Sequence, residues 1–114
     1  MDSDKQATLS KMFKDDPKMI ASNGSAGFDW GGDHGLMSKS GDGGYWVNME
    51  GISHHFDANG NPLDSDGNIL DMKEEMARLN SSDVSHGTLK AKLFANACYA
   101  MKQAIKTGAA QLLP

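Results

Sequence analysis

Residues 57–70 are two heptads laid end to end, Asp57-Ala58-Asn59-Gly60-Asn61-Pro62-Leu63 and Asp64-Ser65-Asp66-Gly67-Asn68-Ile69-Leu70. Each begins with Asp, reaches Asn-Gly or Asp-Gly at its centre, and ends with Asn and apolar residues. The Asp and Asn side chains bond nearby backbone, and Gly supplies the positive φ of a tight turn. A chain with two such reversals in fourteen residues cannot run a helix through them. It folds there as short antiparallel strands.

The flanking sequence extends that picture. Tyr45, Val47 and Met49 alternate, as do Ile52, His54 and Phe56, with the phase slipping by one residue at Glu50-Gly51. A β-bulge there would set both trios on one face, with His54 inward and His55 outward. Gly41-Asp42-Gly43-Gly44 is a turn pairing residues 36–40 with 45–49. The stretch from Ala21 to Gly44 is rich in Gly, Ser, Asn and Asp, and Phe28, Trp30, Leu36 and Met37 are isolated anchors in what reads as a loop over 16–35.

Helices bracket the strands. Asp2-Ser3-Asp4 offers cap oxygens for a helix over about 4–15, ended by Asp16-Pro17. Asp71 and Glu74 have capping-box spacing for a short helix over about 72–80. A longer helix is predicted over 86–107. Its apolar arc holds Leu89, Leu93, Phe94, Ala97, Cys98, Ala100, Met101, Ala104 and Ile105, and the opposite arc holds Lys92, Ala95, Asn96, Tyr99, Lys102, Gln103 and Lys106. Gly108 stops it, and residues 109–114 form an apolar tail. The fold class is therefore α+β: one domain over residues 1–114, with a small antiparallel sheet of three to four short strands, Gly-rich loops, an N-terminal helix and a long C-terminal amphipathic helix on the sheet.

Leu, Ile, Val and Phe total only 19 of 114 residues, while Met contributes eight, so the core is thin and adaptable. A thin core suggests support from a partner or from self-association. Cys98 has no second cysteine to pair with and reads as a small buried hydrophobe. No basic n-region or membrane-length apolar run is present, which predicts a cytoplasmic or virion-borne protein without membrane attachment.

Charge is segregated. Residues 1–83 carry seven basic and fifteen acidic side chains, a net of −8, whereas residues 84–114 carry four lysines and no acid, a net of +4. The two parts could attract one another within the fold, join subunit to subunit, or offer a basic face to an acidic partner. On the outer arc of the last helix, Tyr99 stands among Lys92, Lys102 and Lys106. An aromatic ringed by cations is an interface anchor, with Leu112 and Leu113 of the tail inserting nearby. Three or four lysines on an acidic protein are too small a footprint for nucleic acid.

Chemical motifs are sparse. Asp64, Asp66, Asn68 and Glu75 fall at positions 1, 3, 5 and 12 of a calcium loop, but Ile69 stands where the loop requires Gly, and Pro62 blocks the incoming helix. Asp33 beside His34 could orient an imidazole for acid–base work in a small metal- or His-dependent hydrolase. His34, His54, His55 and His86 have no recognised metal-ligand spacing. The Phe56-Asp57-Ala58-Asn59-Gly60-Asn61 stretch resembles the hairpin turns of tyrosine-aspartate repeat proteins, a likeness of a few residues that brings no function with it. No cofactor is implied. The sequence points to a non-catalytic protein that docks to other protein, either as a small subunit of a larger assembly or as an inhibitor of a host complex. Its short length, many glycines and missing active-site motif give it the general look of phage accessory proteins.

Overall fold

The computed structural model describes residues 3–14, 20 and 24–114. Helix α1 (Ser3–Met12) is followed by strands β1 (Ser25–Trp30), β2 (Asp33–Lys39), β3 (Tyr45–Met49), β4 (Ile52–Phe56) and β5 (Pro62–Leu63). Helices α2 (Met72–Leu79) and α3 (Gly87–Thr107) and a 3₁₀ turn (Ala110–Leu112) complete the chain. The strands form one antiparallel meander in the order β1-β2-β3-β4-β5. The α+β class holds, with five strands rather than three to four.

Two turns account for the differences. The segment expected to be a loop over 16–35 contains all of β1 and the start of β2, because Gly31-Gly32, both at positive φ, close a two-residue hairpin between Trp30 and Asp33. At Glu50-Gly51 the chain makes a second two-residue hairpin and not a bulge. Met49 faces Ile52, and φ is 48° and 90° at the central residues. Glu at the first position hid this turn, since Asn or Asp is usual there. The Glu50 carboxylate accepts His34 N–H at 2.7 Å and Asn48 Oδ1 accepts Gly51 N–H at 2.9 Å, which hold the turn shut. The hairpin still puts the two apolar trios on one face, because Tyr45, Val47 and Met49 pair directly with Phe56, His54 and Ile52.

The repeat folds as two turns of the same design. Asp57 Oδ1 accepts from the backbone N–H of Asn59 and Asn61 at 2.9 and 2.8 Å, and Asp64 Oδ1 accepts from those of Asp66 and Asn68, both at 2.9 Å. Gly60 and Gly67 have φ of 84° and 83°. The first turn is packed and the second is not: a methyl group on Gly60 would lie 3.1 Å from Ile105 of α3, whereas one on Gly67 would meet only solvent.

One face of the sheet packs on α3. Ala26, Phe28, Met37, Val47, Met49 and Phe56 meet Leu93, Phe94, Ala97, Met101 and Ala104 in a fully buried layer. All five alanines of α3 are buried, so the helix axis can approach the sheet closely. Gly35 serves the same layer, since the Phe28 ring and the Met49 sulfur occupy the space its side chain would fill. The predicted arc is wrong at three positions. Leu89 is 54% exposed in the first turn of α3. Ala95 is buried. Asn96 is buried because its amide donates to Asp33 Oδ2 at 2.8 Å. Asp71 caps α2 by accepting Glu74 N–H at 2.9 Å, as the capping-box spacing predicts. Helix α1 ends at Met12 among the described residues, and Leu9 and Phe13 anchor it in the core, with Phe13 edge-on to Phe28 at 6.3 Å. The predicted stop at Asp16-Pro17 lies outside the described residues.

Candidate docking surfaces

The C-terminal tail is not the free apolar segment that its sequence suggests. Gly108, at φ 79°, donates its N–H to Ile105 O at 3.1 Å and turns the chain back over the core. Leu113 is 2% exposed and sits in the core, and Leu112, half-buried, packs against the same cluster, so the tail folds back onto the chain. Lys39 Nζ fastens the tail by donating to Gln111 O at 3.0 Å.

The outer arc of α3 keeps most of its expected character. Tyr99 is 47% exposed, and Lys102 Nζ lies 5.9 Å from its ring centroid, within cation–π range. Lys106 is exposed one turn further on. Lys92 is drawn away to Asp33 Oδ2 at 3.3 Å, where it joins the bond from Asn96. This is the one ion pair among the described residues between the acidic body and the basic segment, so Lys90, Lys102 and Lys106 have no carboxylate of a described residue within 4 Å. Among the described residues, three of the four lysines of the basic segment therefore stay unpaired. Cys98 lies on the buried side of α3, and burial pushes its thiol up to about 12 against a smaller opposing effect of Lys102.

A second surface runs along β4. A groove of about 580 Å³ separates this strand from α2 and the start of α3. Phe94, Leu79, Trp46 and His55 are among the residues that line it. Trp46 and His55, on the sheet face away from α3, stack with centroids 4.3 Å apart. His55 Nε2 is 2.9 Å from Asp42 Oδ2 without the alignment of a hydrogen bond. The Asp42 carboxyl is held below its usual value, chiefly by the Gly44 N–H, then by Ser40, with His55 contributing less. His54 points inward as predicted, 5.9 Å from the Phe94 ring, and desolvation lowers its pKa against a contact with Val47 O at 3.3 Å. A smaller cavity of about 490 Å³ lies between α1, Trp30 and the end of α3.

The candidate chemical sites are not assembled. Asp33 and His34, adjacent on β2, project to opposite faces of the sheet: Asp33 reaches Asn96 and Lys92, while His34 Nδ1 is 3.4 Å from Asp29 Oδ1. Asp29 is also bonded to Lys14, and the Lys14 bond is the main reason its carboxyl is held below the usual range. Of the calcium-loop candidates, Asp64 gives Oδ1 to its own turn and Glu75 holds Arg78, while Asp66 and Asn68 are exposed. Among the described residues no three His, Cys, Asp or Glu side chains gather as metal ligands, and no helix is long and apolar enough to cross a membrane. Sequence reasoning missed the Trp46–His55 stack and the groove, which depend on strand register. The signal for them was the alternation of residues 45–49 and 52–56 on either side of an unrecognised turn. Compared with protein-family models, curated proteins and solved structures, the chain matches none.

Proposed function

We propose that this protein works by docking to another protein and performs no catalysis, as a small subunit of a phage- or virion-type assembly or as an inhibitor of a host complex in the cytoplasm. The observation that carries the reading is the outer arc of α3. There a half-exposed Tyr99 lies beside Lys102 and Lys106, whose charges no carboxylate of the described chain neutralises within 4 Å. A large amphipathic ring with cations around it has the composition of an interface hot spot, and the positive charge selects an acidic partner and steers its approach. Leu113 takes no part, because it is buried in the core.

The test is quantitative co-purification of the tagged protein from its native cells, comparing wild type with Tyr99→Ala and with Lys102→Glu plus Lys106→Glu. The partner retained by wild type should be lost from both variants, and its retention by the charge reversal should not recover at low salt. A partner retained equally by all three proteins refutes the α3 face.

A further inference from the structure

The groove beside β4 contains an unpaired strand edge. Glu50 N–H bonds to His34 O at 3.0 Å and Ser40 N–H to Gly44 O at 2.9 Å, so the even-numbered residues of β3 bond to β2 and the odd-numbered ones to β4. Ile52, His54 and Phe56 therefore direct their backbone groups to β3, and Ser53 and His55 direct theirs the other way. His55 is met by Leu63 of β5. Beyond Leu63 the chain leaves the sheet, because Asp64 begins the second turn of the repeat, and among the described residues nothing pairs with Ser53 on that side. The Ser53 N–H and C=O face the groove as a short open edge.

From this geometry we infer that the groove takes an extended segment of a partner protein as an added antiparallel strand in line with β5, carrying an acidic and an apolar side chain two positions apart. The residue opposite Ser53 shares the outer face of the sheet, so its two neighbours both point inward, towards Leu79, Phe94 and Lys90. Leu79, only half-buried, matches an apolar side chain. Lys90 matches an acid, because Arg78 is already held by Glu75 and the Asp64 carboxylate is turned onto its own backbone, which leaves Lys90 as the groove's unmatched cation. This extends the docking reading to a second surface. It does not depend on Tyr99, since nine residues along a helix place Tyr99 on the side opposite Lys90.

The experiment uses an array of short β-prone peptides, each with Asp or Glu two positions from Leu or Phe, and a matched set with Lys for the acid. Binding is followed through backbone amide shifts of the full chain. The acidic set should bind and shift Ser53, His54, Leu79 and Phe94. Ser53→Pro, which removes the outward N–H, should weaken binding about tenfold, Lys90→Glu should reverse the preference to the Lys set, and Tyr99→Ala, on the separate α3 face, should leave the affinity of the groove for the peptides as it is. Methylating the peptide nitrogen that faces Ser53 tests the same bonds with wild-type protein, should Ser53→Pro fail to fold. Absence of binding by the acidic set, binding undiminished by both Ser53→Pro and the methylated peptide, or shifts confined to other surfaces would overturn the inference.

Discussion

Gly60→Ala and Gly67→Ala make a matched pair, because the two turns share a hydrogen-bond pattern and differ in φ by only one degree. The left-handed conformation costs an L-residue about 1–2 kcal/mol, and that cost is common to both substitutions. At Gly67 nothing lies within 4 Å of the added methyl, so about 1–2 kcal/mol is the whole effect. At Gly60 the methyl meets Ile105 Cγ1 at 3.1 Å, and overpacking adds about 1–3 kcal/mol. Ile105 is half-buried and can shift, which favours the lower part of that range. The expected losses are therefore about 2–3 kcal/mol for Gly60→Ala and about 1–2 kcal/mol for Gly67→Ala. Gly41→Ala, with an ordinary φ and open space, should lie within about 0.5 kcal/mol of wild type. Urea unfolding followed by Trp fluorescence measures all three, read as midpoint shifts at constant slope. Equal losses at Gly60 and Gly67, or a larger loss at Gly67, would refute the assignment of the first turn to the α3 interface.

Leu93→Ala should cost about 2–5 kcal/mol in the same assay, because Leu93 is buried between α3 and the sheet. His54 has its pKa lowered by burial from the ordinary 6.5, so both states are neutral above that pH and its contribution to stability is complete. As pH falls below 6.5 the unfolded chain takes the proton first, and stability drops until the lower folded pKa is passed. Comparing unfolding midpoints of wild type and His54→Gln from pH 7 to 5 should show a shallower decline in the variant. Cys98, buried and with its thiol pushed up to about 12, should resist iodoacetamide at pH 8 in the native state and react in urea. Native labelling at the unfolded rate would mean that α3 opens readily.

The sequence was most legible where chemistry is local. The Asp and Gly turns of the repeat, the Asp71 cap and the Gly108 stop each act over a few residues, and each stands where its pattern put it. Strand β1 was hidden because its partner is specified by Gly31-Gly32, a pair that looks like loop until the register of residues on both sides is known. Asn96 sits on the polar arc of a helical wheel yet is buried, because Asp33, far away in sequence, supplies the bond that makes burial tolerable. Leu112 and Leu113 misled for a related reason: an apolar tail after a glycine can project or fold back, and only the tertiary structure shows Leu113 in the core. The Tyr99 and Lys102 surface was readable from helical periodicity alone, whereas the Ser53 edge required the strand order.

Site-specific photo-crosslinking tests the docking claim most directly. A photoreactive phenylalanine analogue placed at position 99 of the full chain in its native cells should capture a single acidic protein, with the capture abolished by Lys102→Glu plus Lys106→Glu and the melting temperature unchanged. Capture that is absent at position 99, or that survives the charge reversal at full yield, would contradict the account.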